Sequence, residues 1–108
     1  MDLHIKERLL IPSILPEKGT FMEFNLKKSI LSKIALTEQD KEDYEIVEKK
    51  DEKRIEWNVQ KDHEQPLVVD FSKDELAYMH KACEQISGQQ LPDDVWGVVE
   101  HIFNESQD

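Results

Sequence analysis

His80 and Cys83 stand three residues apart in a segment whose apolar residues recur at helical spacing, which makes them neighbours on one helix face. A thiol beside an imidazole is the working pair of many cysteine enzymes. The same spacing also puts Cys83 on the apolar stripe Leu76, Met79, Cys83 and Ile86, where a thiol packs as a small inert hydrophobe. Activation needs an electropositive, open setting, and the neighbouring Glu84 works against it. The expectation is a buried, unreactive cysteine. Being the one cysteine of the chain, it forms no internal disulfide and completes no cysteine-rich zinc tetrahedron.

The four histidines, His4, His63, His80 and His101, fall on four separate segments. His80 shares a helical face with Glu84, and His4 with Arg8, but no H-E-x-x-H pair occurs. Adjacent carboxylates such as Asp74 and Glu75, or Asp93 and Asp94, sit where helices start and so have a structural reason to exist. No glycine-rich phosphate loop, G-x-S-x-G elbow or calcium loop is present. The reading therefore assigns no catalytic, cofactor-binding or metal-ligating residue and expects no cofactor. Trp57 and Trp96 are the two candidate interaction anchors, tryptophan being enriched at binding hot spots, with core packing as the alternative for each.

The elements that position these residues follow from pattern. Leu3 to Ile11 has a helical stripe, with Pro12 and Pro16 expected to end it and Gly19 free for a positive-φ turn. Thr20 and Glu23 form a capping box that opens a helix from about Phe21 to Ile34, with Phe24, Leu31 and Ile34 inward. Thr37 caps a short acidic helix through about Asp43. Residues from Tyr44 to Val59 then alternate with period two around a polar tip, the pattern of a half-buried hairpin, and Trp57 lies on its inward side. The stretch from Gln60 to Gln65 reads as a polar connector, and Leu67 to Phe71 as a third strand. Ser72 and Glu75 form a second capping box, with Phe71 and Leu76 as a hydrophobic staple, and that helix stops at Gly88. Pro92, at a first helical position, opens the last helix, which carries Trp96, and a polar tail at 104–108 is expected to fray. The fold class is α+β: N-terminal helices, a three-stranded antiparallel sheet (hairpin about 44–59 plus a strand about 67–71) and two C-terminal helices.

Composition bounds the rest. The 108 residues make one domain, 1–108. Leucine, isoleucine, valine and phenylalanine account for 30 of them, above the ~20% floor below which chains tend not to fold. Fourteen lysines and arginines against 24 aspartates and glutamates give a net charge of −10. Such a chain is a poor ligand for nucleic-acid phosphates or an anionic bilayer, so neither nucleic acid nor membrane is an expected partner. A charged N-terminal stretch without a secretory signal, together with a lone cysteine, leads to a cytoplasmic expectation.

Several stretches carry a resemblance. They are Leu15-Pro16-Glu17-Lys18-Gly19-Thr20-Phe21, Ile55-Glu56-Trp57-Asn58, Val69-Asp70-Phe71-Ser72 and the closing Glu100-His101-Ile102-Phe103. In this order the chain resembles short uncharacterised proteins of phages, prophages and phage-rich gut bacteria that have an L-P-x-x-G-x-F turn, an I-x-W-x strand and a closing helix. The likeness implies a single domain and a phage or mobile-element setting. It implies no activity and carries over no functional residue.

Three functions of different classes are compatible with these residues. The first is a non-enzymatic module for protein–protein interaction or self-association, whose open strand edges and tryptophans would meet a partner. The second is an acidic inhibitor imitating nucleic acid, which requires a continuous carboxylate stripe. The third is a small enzyme whose dispersed histidines and carboxylates converge only on folding. The first is the expected one.

Overall fold

The computed structural model describes residues 1–107. Four longer helices build the core: α1 (Ile5–Ile14), α2 (Phe21–Ile34), α5 (Lys73–Gln85) and α6 (Asp93–Glu105). Two single-turn-scale helices, α3 (Glu38–Asp43) and α4 (Val59–Glu64), sit between them in sequence. Helix α5 packs against both α2 and α6, and α1 packs against α6. Leu3, Ile11, Ile30, Met79 and Ile102 are almost wholly removed from water where these helices meet. Burying side chains of this size contributes roughly 1.5–3 kcal/mol each, which is what holds the helices together.

The helix starts are where local chemistry dictates. Thr20, Thr37 and Ser72 each accept a backbone N–H three residues on, and Glu23, Asp40 and Glu75 each reach back to the cap residue's own N–H. Pro92 caps α6 from outside its first turn rather than occupying the first helical position. Helix α1 runs through Pro12, which the sequence pattern made its end. An interior proline costs about 3 kcal/mol, but Ile11, Ile14 and Leu15 are all buried beyond or beside it, and their burial outweighs that cost.

The strands form two separate two-stranded antiparallel ribbons, not one three-stranded sheet. Strand β1 (Asp2–Leu3) pairs with β4 (Leu67–Val68), and Met1 and Val69 extend the ladder through two further hydrogen bonds of 2.9 and 3.0 Å. Strand β2 (Val47–Lys49) pairs with β3 (Arg54–Glu56) in the register Val47↔Glu56 and Lys49↔Arg54. Two local facts separate the ribbons. Asn58 accepts the Lys61 N–H and starts α4 at Val59, within the span read as the hairpin and running on through the stretch read as a polar connector, so the chain turns away before it can add a third strand. Asp62 of α4 then accepts the Ile5 N–H at 2.9 Å, capping α1 from 57 residues away and drawing the N-terminus across β4.

The hairpin is also shorter than the alternating pattern, and wetter. Tyr44 is still the C-terminal cap of α3, and Glu45 takes a left-handed φ of 52°, so pairing begins only at Val47. Val59 belongs to α4 and is exposed. The tip is a single 3-10 turn, Lys50–Glu52, closed by Lys53 in the left-handed region. Val47, Glu48 and Lys49 all face solvent, whereas Ile55 is half-buried. At the other end of the chain, the expected frayed tail at 104–108 includes Asp108, which lies outside the described residues. Before it, α6 continues through Glu105 and Ser106 is buried.

Two buried charges tie helices to their neighbours. Arg8, 4% exposed, donates to the carbonyls of Ile34 and Ala35 and to Asp40 Oδ2 at 2.8–2.9 Å and 2.7 Å respectively. It thereby satisfies carbonyls left over where α2 ends and joins them to the first turn of α3. Glu75, 2% exposed, accepts from the Ser72 N–H at 2.7 Å and from Lys33 Nζ at 2.6 Å, which fixes α5 to α2.

Candidate functional site

Cys83 lies in the core between α5 and α6, its Sγ 3.7 Å from the Val99 carbonyl oxygen. Burial pushes its thiol up to about 11, so the thiolate that nucleophilic chemistry needs is suppressed. His80 points elsewhere. Its Nδ1 is 3.1 Å from Ser106 Oγ, its Nε2 is 3.1 Å from Glu84 Oε1, and its ring stacks on Phe103 at 4.3 Å. A serine, a histidine and a carboxylate in line have the order of an acyl-transfer relay. Ser106 is the C-terminal cap of α6, is buried, and also lies 3.2 Å from the Phe103 carbonyl. The trio bridges α5 to the C-terminal end of α6 and lines a groove of 280 Å³ together with Lys73, Ala77 and Lys81. Ser106 was not legible as its third member, because a serine in a polar C-terminal stretch carries no sequence signal.

The remaining three histidines gather about the first turn of α1. His101 contacts Glu7 Oε2 and so links α6 to α1, while Glu7 Oε1 accepts the His4 N–H. His4 stacks on His63 at 6.1 Å and lies 3.2 Å from the Asp62 carbonyl. Among the described residues, no group of three histidine, cysteine, aspartate or glutamate side chains converges as a metal site would require.

The two tryptophans are not brought together in one site. Trp96 is half-buried and packs on the edge of the core, beside Cys83, Val99 and Phe103. Trp57, also half-buried, sits just beyond the hairpin and outside the main core cluster, with its Nε1 buried and unpaired. An unpaired buried donor of that kind costs about 1–3 kcal/mol.

The largest exposed apolar side chains are instead gathered at the start of α2. Phe21 and Met22 are 77% exposed and Phe24 is 54% exposed. Their positions follow from the capping box. Thr20 starts the helix with Phe21 at its first position, while the side chains of the helix that enter the core are Ile30 and Ile34, with Leu26 half-buried against it. Phe24, inward by its period, faces out instead: six residues before the buried Ile30, it sits about 120° round the helix from it. Phe21 and Phe24 stack on each other at 6.5 Å, and Lys28 Nζ lies 5.6 Å over the Phe24 ring.

Two grooves flank this face. One, of 490 Å³, runs between the Pro16–Gly19 turn and Phe24, Leu31 and Tyr78; the other, of 600 Å³, lies between Met22, Leu26, Ala77 and Tyr78. Tyr78 lines both, and burial pushes its hydroxyl pKa upward, with the charge of Glu23 adding to the shift. The turn that walls the first groove is held by Lys27 Nζ donating to the Pro16 carbonyl at 2.8 Å. Gly19 does not use positive φ there. A Cβ at Gly19 would come within 3.2 Å of Glu23 Cβ, so glycine leaves room for the capping glutamate. The arrangement brings apolar side chains, aromatic edges and lysines together at the surface.

No protein-family model matches this chain, and no curated protein or solved structure matches it.

Proposed function

We propose that this chain is a small non-enzymatic protein–protein interaction or assembly module that binds through the N-terminal half of α2. One observation carries the reading: three large apolar side chains, Phe21, Met22 and Phe24, stand exposed together beside two apolar grooves. Scattered exposed leucines need no explanation, but an aromatic cluster rimmed by polar residues marks an interaction surface. The cluster contributes little to the fold, because the core forms around Ile30, Ile34 and Met79 without it. The anchors of the module are then the α2 phenylalanines rather than Trp57 and Trp96. The setting we infer for it, from the resemblance to short phage-associated proteins, is that of a phage or mobile element, in the cytoplasm.

Imitation of nucleic acid has less support. Carboxylates on the hairpin are interleaved with cations, Glu56 lying against Lys49 and Arg54, and Glu52 against Arg54. Such interleaving breaks up the unbroken negative stripe that a mimic needs. A relay-based enzyme has less support again, because Ser106 is occupied and buried.

The test is the double variant Phe21→Ser/Phe24→Ser. Because both side chains are exposed, its unfolding midpoint should stay near that of the parent, within about 0.5 kcal/mol per site. Light scattering after size-exclusion, alone and with candidate partners, should show an assembly in the parent and its loss in the variant. An assembly that survives the double substitution would sink this assignment of the surface.

A further inference from the structure

We infer that the seam between α5 and α6 is a second docking surface, and that its occupant is a basic amphipathic segment of another protein. Lysines or arginines of that segment would meet Glu84 and Glu100 on either side of an apolar anchor. A groove of 660 Å³ runs along this seam. It shares no lining residue with the two grooves beside the α2 phenylalanines, so it stands apart from the surface proposed above.

The groove follows from the way the two helices pair. His80 meets Ser106 and Phe103, and Cys83 meets Val99, so α5 and α6 run antiparallel. Cys83 and Val99, both buried, make the floor, and the half-buried Trp96 and Phe103 make an apolar wall on α6. At helical spacing Asp93, Trp96, Glu100 and Phe103 fall within about 80° of arc, so acids and aromatics share one stripe. Glu84 rises exposed from α5 and gives one oxygen to His80 Nε2 at 3.1 Å, keeping the other. Glu100 is exposed and takes part in no ion pair among the described residues.

Charge selects the occupant. Glu84 and Glu100 are the charged residues of the lining, and no lysine or arginine stands among them. The other grooves each mix lysines with carboxylates. Cations close by are turned to other partners. Lys81, one turn before Glu84, lies 3.8 Å from Glu23 of α2, and Lys6 lies 3.4 Å from Asp94, which is off the stripe. The sequence carries the same asymmetry further. All 14 lysines and arginines fall within residues 1–81, while residues 82–108 hold six acids and so −6 of the net −10.

These charges disfavour two other occupants. A two-fold contact of the seam with that of a second copy would set glutamates against glutamates, and an anionic bilayer would be repelled outright. A helix that places leucine, isoleucine or an aromatic over the floor, with lysine or arginine one turn to either side, satisfies floor and rim together. The long cationic side chains lay their methylene stems along Trp96 and Phe103 while their heads reach the carboxylates.

The test screens a yeast-displayed library of random 14-residue peptides against the full chain at moderate salt. Three variants are screened in parallel: Glu84→Lys/Glu100→Lys, Phe21→Ser/Phe24→Ser, and Glu48→Lys/Glu52→Lys, which makes the same change of net charge on the hairpin. All four glutamates are exposed, so each variant should melt near the parent. The expected result is enrichment of peptides rich in lysine or arginine with leucine, isoleucine or an aromatic at helical spacing. They should bind the Glu84/Glu100 variant at least about tenfold more weakly and the other two within about twofold of the parent, with affinity falling as salt rises. In a Trp57→Phe background, where Trp96 is the sole tryptophan, the bound peptide should shift the emission. Equal losses in the two lysine variants, or an unchanged Trp96 emission, would mean attraction to net charge alone and overturn the inference. Peptides that are neutral or acidic, or an absence of enrichment, would overturn it too. Peptides lost in the phenylalanine variant would belong to the α2 face, which would then stand while the seam fell. Self-association abolished by Glu84→Lys/Glu100→Lys, without basic peptides emerging, would make the occupant a second copy and overturn the inference.

Discussion

Arg8 Nη2 donates to Asp40 Oδ2 at 2.7 Å across 32 residues of sequence, and the two members of this pair are unequally buried. The Arg8 side chain is 2% exposed and that of Asp40 18%. Burial alone would raise the Asp40 pKa, but the hydrogen bond from Arg8 and those from Thr37 more than reverse it, and its carboxyl titrates below the usual range. The pair joins three elements, because the same guanidinium also holds the carbonyls of Ile34 and Ala35.

The inequality predicts which half is costlier to lose. Asp40→Ala strands a buried guanidinium without its counter-charge, a loss of about 3–5 kcal/mol. Arg8→Met removes the charge itself, leaves Asp40 within reach of water and Thr37, and orphans two helix-end carbonyls, a loss of about 1–3 kcal/mol. Urea unfolding of both variants should therefore rank Asp40→Ala as the less stable. The reverse order would mean that Arg8 acts chiefly by packing.

Glu75 predicts the acid limb of the stability curve. Burial would raise its pKa, but the hydrogen bonds from Lys33 and from the Ser72 backbone outweigh it, and the group is held at about 2. A carboxylate with a depressed folded-state pKa contributes stability that is fully present above its unfolded value of ~4.3. That contribution is lost as pH falls from there towards 2. It amounts to roughly 3 kcal/mol at neutral pH. Glu75→Gln should lower stability by an amount of that order at pH 7 and by progressively less down to pH 2. The parent and variant curves should therefore converge in acid. Curves that stay parallel from pH 7 to pH 2 would place the titrating group elsewhere.

What the sequence discloses and what it hides divide along a physical line. The capping boxes at Thr20, Thr37 and Ser72 are local chemistry within four residues, and each helix begins where they place it. The apolar face of α5 was legible for the same reason, since Met79 and Cys83 repeat at its period. The sheet was not, because strand partnership is long-range: nothing within Leu67–Val68 says that it pairs with Asp2–Leu3 rather than with the hairpin. The deciding residue is Asp62, which looks like one more surface acid until it caps Ile5. Arg8 was hidden in the same way. At the candidate surface, helical periodicity puts Phe24 inside with Leu31 and Ile34, because the apolar residues of α2 span a broad arc and period alone does not say which edge of it the neighbouring helices cover. Helix α5 lies along the Glu23 and Leu26 side of α2, with Lys81 against Glu23, and leaves the phenylalanine edge open.

Cys83 gives a prediction that separates an inert thiol from a functional one. With its thiol pushed up to about 11, against ~8.5 for an ordinary cysteine, the thiolate at pH 8 is scarcer by a factor of about two hundred. Its burial between α5 and α6 adds a steric barrier to any reagent. Alkylation by iodoacetamide at pH 8 should therefore be at least a hundredfold slower in the native chain than in urea, and its rate should rise along the unfolding transition. Destabilising the fold through Asp40→Ala should quicken labelling, because reaction then proceeds through opened molecules. The Phe21→Ser/Phe24→Ser variant should leave it unchanged. Rapid stoichiometric labelling of the native parent would mean that Cys83 is accessible and its thiolate available, and would reopen its pairing with His80 as a site of chemistry.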